Sequence, residues 1–86
     1  MYRVFFSSQS LKDLQKLKSL NLSKKAKDLI EIIKQNPYQT PPPFEKLRGN
    51  LEGFFSRRIN IQHRLIYQVL EDEKMVKVLR LWSHYK

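Results

Sequence analysis

The side chains able to do chemistry gather in two stretches of the sequence, Glu45 to Tyr67 and the closing Trp82-Ser83-His84-Tyr85-Lys86. Basic and aromatic residues alternate there at strand spacing, and Glu45 is the only carboxylate immediately before the basic run. With Lys46 and Arg48 beside it, Glu45 reads either as a charge balancer or as a proton acceptor. Cleavage of a phosphoester through a ribose 2′-hydroxyl needs such an acceptor next to that oxygen. His84 offers the matching acid, because an imidazole is the side chain that holds a transferable proton part of the time near neutral pH. Tyr85 can stack on a base or donate a hydrogen bond to phosphate.

Strand parity sorts the arginines. Alternate side chains share a face, so Ser56 and Arg58 point one way while Arg57 and Ile59 point the other, and Arg64 and Ile66 lie opposite His63, Leu65 and Tyr67. In a hairpin, Arg58 and Arg64 then converge on one exposed face. Two guanidiniums side by side repel unless an anion lies between them, which points to a phosphate site. The competing reading is a set of surface arginines that diverge or bridge to Glu45 or Glu52, and for Arg57 it is the preferred one. Lys46, Arg48 and Arg57 are the further candidates for RNA contact. His63 falls on the core side with Leu65 and Tyr67, as a structural histidine, and Phe54, Phe55 and Trp82 read as core aromatics.

Charge supports a polyanionic partner. The chain carries a formal +9 over 86 residues, with a sequence pI near 10.1. Each phosphate neutralised by such a surface releases counterions and adds affinity independent of sequence. A cationic face covered by an acidic protein is the alternative. The absence of cysteine excludes disulfides and thiolate chemistry, and two histidines argue against a zinc site, so no metal or cofactor is expected. Glycine-rich phosphate loops, a Ser-His-Asp arrangement and paired acidic metal ligands are all missing from the sequence. No apolar run is long enough for a transmembrane helix, and residues 1–7 lack the pattern of a signal peptide, giving an expected cytoplasmic location.

The elements that must position these residues follow from periodicity. Tyr2 to Phe6 reads as a strand. Ser7 or Ser8 caps a helix with Leu11, Leu14 and Leu17 on its buried stripe, and Asn21 or Ser23 caps a second helix that buries Leu22, Ala26, Leu29, Ile30 and Ile33 up to Asn36-Pro37. Tyr38 to Pro43 is expected to be an extended crossover, because its prolines cannot supply ladder amides. Strands are expected over Phe44 to Leu47, Phe54 to Ile59, Ile61 to Leu70 and Met75 to Trp82, with turns at Gly49-Asn50, Asn60 and Glu71 to Lys74. The result is one α+β domain over residues 1–86, two N-terminal helices on one face of a small, mostly antiparallel sheet, with the other face left for function.

The run Glu45-Lys46-Leu47-Arg48-Gly49-Asn50-Leu51-Glu52-Gly53-Phe54-Phe55-Ser56-Arg57-Arg58-Ile59, then His63-Arg64-Leu65-Ile66-Tyr67 and the final His84-Tyr85, resembles the YoeB family of toxin–antitoxin ribonucleases within the RelE-like superfamily. The resemblance implies a RelE-like, microbial-ribonuclease-type fold and a metal-independent endoribonuclease that cuts mRNA in the A site of the 70S ribosome. It assigns Glu45 as general base and His84 as general acid, gives the scissile phosphate to Arg58 and Arg64, and has Tyr85 orient the substrate. It also implies a cognate antitoxin of the YefM/Phd type, homodimers or toxin–antitoxin complexes, and operator DNA bound only through the antitoxin. Arg48 stands where the close family often has lysine, and Lys86 follows the His-Tyr pair where the family commonly ends on tyrosine. Two other readings remain open on the residues: a non-catalytic basic module that binds RNA or the ribosome, and an inactive RelE-like paralogue held by an antitoxin.

Overall fold

The structure, a computed structural model, describes residues 1–82. β1 (Arg3–Phe6) leads into α1 (Ser8–Ser19) and α2 (Ser23–Gln35), then a proline-rich loop delivers the chain to β2 (Glu45–Lys46), β3 (Phe54–Arg58), β4 (Arg64–Leu70) and β5 (Met75–Arg80). The sheet order is β1-β5-β4-β3-β2; β1 runs parallel to β5 and every other pairing is antiparallel. Leu17, Ala26, Leu29 and Ile33 from the helices pack against Phe55, Ile59, Leu65, Tyr67, Val76, Val78 and Leu81. The expected α+β layering, with both helices on one face, is what forms.

The local details correct several expectations. Ser7 does cap α1, its Oγ accepting from the Ser10 amide at 3.0 Å. The buried positions of α1, however, are Ser10, Asp13 and Leu17, while Leu11 is 51% exposed. Asp13 is drawn inward by donors at the end of β5, and that sets the helix face. Neither Asn21 nor Ser23 caps α2. Leu22 occupies the cap position without a side-chain bond, and the corner closes on backbone groups instead, with the Leu22 amide donating to the Leu17 carbonyl at 2.9 Å. Asn21 takes the left-handed conformation, φ 59°, that lets the chain turn there.

β4 begins at Arg64 rather than Ile61, because residues 60–63 form the turn. The Asn60 side-chain oxygen accepts from the amides of Gln62 (2.9 Å) and His63 (2.6 Å). This asparagine closure explains how the hairpin turns without glycine. The proline-rich segment is not a stiff extended crossover: it turns at residues 37–38 and bends at 41–42, wrapping a buried guanidinium described below.

Candidate active site

The register brings the open-face residues together. Glu45 lies directly opposite Ser56 in the β2–β3 pair, Ser56 opposite Ile66, and Arg58 opposite Arg64 in β3–β4. Directly paired residues share a face, so Glu45, Ser56, Arg58 and Arg64 project to the same side. With Pro43 and Phe44 they line a cleft of about 300 Å³. Arg64 Nη1 donates to Glu45 Oε1 at 2.8 Å. Because β3 separates their strands by two interstrand spacings, roughly 9–10 Å, the arm of Arg64 must reach across β3 to make this contact. Of the two sequence readings for these arginines, Arg64 thus fulfils the bridge to Glu45. Arg58 makes no ion pair among the described residues and leaves the cleft a guanidinium in excess. The arrangement can hold an oxyanion next to a carboxylate.

Arg57 is the main correction. Expected at the surface and among the RNA-contacting cations, it is fully buried. Its Nε donates to the Tyr67 hydroxyl (3.1 Å), Nη1 to the Pro42 carbonyl (2.6 Å) and Nη2 to the carbonyls of Pro37 (3.1 Å) and Gln39 (2.9 Å), and its guanidinium lies 4.9 Å from the Phe44 ring centroid. Carbonyl dipoles, not a carboxylate, compensate the charge. Tyr67 in turn donates to the Pro37 carbonyl at 2.7 Å, and burial pushes its phenol up against the opposing pull of Arg57. Parity put Arg57 on the face of Ile59, opposite Ser56 and Arg58, without marking that face as buried. The acceptors could not be read, because they belong to a loop whose path no side-chain period fixes.

That loop delivers Glu45, and it is held from outside as well. The Glu71 carboxylate accepts from the hydroxyls of Tyr38 (2.5 Å) and Tyr2 (3.0 Å) and from Lys74 (3.2 Å). Burial and the bond to Glu71 push the Tyr38 phenol well above its ordinary value; bonds from Tyr38, Tyr2 and Lys74 hold the Glu71 carboxyl below its own.

Sequence reasoning also missed Asp13. Its buried carboxylate accepts from Gln9 Nε2 (3.0 Å), Arg80 Nε (3.0 Å) and the Leu81 amide (2.9 Å), fastening α1 to the point where β5 ends and the terminal segment starts. Burial pushes this carboxyl up, but the Leu81, Gln9 and Arg80 donors outweigh it and hold it below the ordinary value of 3.8. Its spacing from Ser10 and Leu17 was the available signal. His63 is buried as expected, stacked on Trp82 with ring centroids 4.2 Å apart, and Lys16 lies 5.4 Å from the Trp82 ring centroid. Phe55 stacks on Tyr67 in the core, as expected for it. Lys46 and Arg48 line a neighbouring depression with Gly49, Glu52 and Gly53 rather than the cleft itself. His84 and Tyr85 lie outside the described residues.

Comparison with known proteins gives the family. The family described as the YoeB-like toxin of bacterial type II toxin–antitoxin systems matches residues 6–85. The toxin YoeB of Escherichia coli K12 is 39% identical over 62 residues, spanning 72% of this chain and 71% of that protein. YoeB of Synechocystis is 35% identical over 74 residues, 86% of this chain and 77% of the relative. Among solved structures, a YoeB/ParE toxin from Agrobacterium tumefaciens superposes with a TM-score of 0.87 at 27% identity, covering 96% of this chain and 99% of that one. The toxin of the heterotetrameric YoeB–YefM complex from Staphylococcus aureus gives 0.81 at 32% identity, with 99% of both chains covered. This chain belongs to the YoeB-like toxins of bacterial type II toxin–antitoxin systems, a RelE-like family of the endoribonuclease class.

Proposed function

We propose that this toxin cleaves mRNA in the ribosomal A site by acid–base transesterification without a metal ion. The observation that carries the reading is the Glu45–Arg64 pair at 2.8 Å beside Arg58, which has no ion pair among the described residues, in one open cleft of a +9 chain. Glu45 accepts the proton of the ribose 2′-hydroxyl, and the 2′-oxygen attacks the adjacent phosphorus. Arg58 and Arg64 hold the non-bridging oxygens and the charge that builds on them, Arg64 exchanging part of its bond to Glu45 for the phosphate. His84 protonates the departing 5′-oxygen, and Tyr85 orients the substrate. The P–O5′ bond breaks as the P–O2′ bond forms, leaving a 2′,3′-cyclic phosphate and a 5′-hydroxyl. Lys46 and Arg48, outside the cleft, contact the RNA backbone.

The partner is an antitoxin of the YefM type, whose acidic segment covers the basic face; the Staphylococcus aureus neighbours include a YoeB–YefM complex and a YoeB dimer. Heteromeric assembly with the antitoxin and a homodimer without it follow, with operator DNA reached through the antitoxin. A ribosomal target places the protein in the cytoplasm, and no helix among the described residues is long and apolar enough to cross a membrane.

The test is to add purified protein to a translating extract containing a metal chelator at a level the ribosomes tolerate and to map new 5′-hydroxyl ends on the mRNA. New ends within A-site codons are expected from the unsubstituted protein and not from folded Arg64→Ala or His84→Ala. Binding to ribosomes without new ends would favour a non-catalytic module, and normal cleavage by folded His84→Ala would remove the acid assignment.

A further inference from the structure

Ser56 is buried to 2% exposure, and its hydroxyl is the only buried side-chain polar atom without a hydrogen-bond partner among the described residues. The other buried polar groups of the interior show what is ordinary in this fold. Ser10 donates to the Ser7 carbonyl, Asp13 gathers three donors, and Arg57 satisfies four acceptors. A buried hydroxyl with nothing to bond destabilises the fold it sits in, and packing alone would be served equally well by alanine. Ser56 is not stranded in the core: it is one of the residues that line the cleft with Glu45, Arg58 and Arg64, its hydroxyl covered in the free protein.

We propose that Ser56 is a substrate-binding residue whose hydroxyl hydrogen-bonds the ribose 2′-oxygen at the cleavage site. The inference rests on the ribonuclease reading above. Ser56 is the direct cross-strand partner of Glu45, so their Cβ atoms stand about 5 Å apart on the same face. A ribose hydroxyl that gives its proton to Glu45 therefore lies within reach of Ser56. Arg58, two residues along the same strand face, holds the phosphate that follows. Ser56 donates to a lone pair of the 2′-oxygen and keeps its own proton throughout. That bond fixes the rotation of the 2′-hydroxyl so that its hydrogen points at Glu45. The arm of Arg64 crosses β3 to reach Glu45, and a phosphate that draws its guanidinium away opens the floor of the cleft to the substrate. The same contact distinguishes ribose from deoxyribose, because only the former carries the oxygen.

Three measurements on Ser56→Ala test this. Thermal unfolding of the free protein should occur at the same or a higher temperature, since a group without a partner is removed. Cleavage in a purified translation complex should slow roughly tenfold, the effect of one neutral hydrogen bond. In a His84→Ala background, binding to mRNA with a single 2′-deoxy substitution at the cleaved nucleotide should be weaker than to all-ribose mRNA, and Ser56→Ala should abolish most of that difference. Full-rate cleavage by Ser56→Ala, unchanged discrimination against the deoxy substitution, or a lower unfolding temperature with activity lost in step would each overturn the inference. If the unsubstituted protein makes no cuts, or Arg64→Ala cuts normally, the ribonuclease reading itself fails and this inference fails with it. Active unsubstituted protein and inactive Arg64→Ala beside full-rate Ser56→Ala remove the serine assignment alone.

Discussion

Arg57 and Arg58 are neighbours in the chain and opposites in the structure. One is sealed on the helix side of β3 with four hydrogen bonds; the other stands exposed on the far side with no ion pair among the described residues. On the closed face every polar atom of the arginine and of its tyrosine neighbour has been matched to an acceptor or donor. On the open face, among the described residues, charges are unbalanced and a hydroxyl is unmatched. A fold tolerates such deficits where a ligand supplies the missing partners. The same residue type thus builds the scaffold on one side of a strand and the cleft on the other, and the face it occupies decides which.

The sharpest way to break this contrast is to exchange the two roles. Arg57→Ala should destabilise the protein by about 3–5 kcal/mol in chemical denaturation, because three loop carbonyls and the Tyr67 hydroxyl each lose a donor in a dry site. Cleavage should fall only as far as the folded fraction does. Arg64→Ala should do the reverse: cleavage down about a hundred- to a thousandfold, roughly 3–4 kcal/mol of lost transition-state stabilisation, with the unfolding midpoint nearly unchanged. Equal stability losses in the two variants would erase the distinction between the faces.

Asp13→Asn extends the comparison to the edge of the sheet. Replacing a carboxylate that collects three donors should cost about 1–3 kcal/mol at neutral pH. The sign of its pH dependence follows from the lowered folded-state value: the stabilisation is full above the ordinary 3.8 and is lost as pH falls through the lower folded-state value. Denaturation curves of the two proteins should therefore converge in acid below the folded-state value and stand fully apart once the pH is above 3.8. The smallest effect belongs to Leu11→Gln, under about 0.5 kcal/mol, because that side chain lies half in solvent despite its place in the leucine repeat.

Those two α1 positions show where sequence reading stops. Apolar spacing located both helices and every strand, and strand parity put Arg58 and Arg64 on one face. It erred by rotating α1, since three leucines at equal spacing look like a buried stripe whether or not a carboxylate nearby has a stronger claim on the interior. The Arg57 anchor was hidden for a related reason. Its acceptors are backbone carbonyls of Pro37, Gln39 and Pro42, and every residue has a carbonyl, so no residue type announces the bond. The hairpin turn was legible only as polar; that Asn60 would close it required the geometry.

The parallel pairing of β1 with β5 has a kinetic side. Arg3 lies beside Met75 and Phe6 beside Val78, so the first strand of the sheet has no neighbour until the last one exists. β5 also contributes Val76 and Val78 to the core and donates its exit to Asp13 through Leu81. Contacts this distant in sequence impose a large loop-closure entropy before they return any energy, which slows folding relative to a helical bundle of the same length. During synthesis, residues 1–74 can form their helices but cannot complete the sheet. The sheet that carries the cleft is therefore completed only after β5 emerges, and a chain ended at Leu70 should show no cooperative unfolding transition and no cleavage.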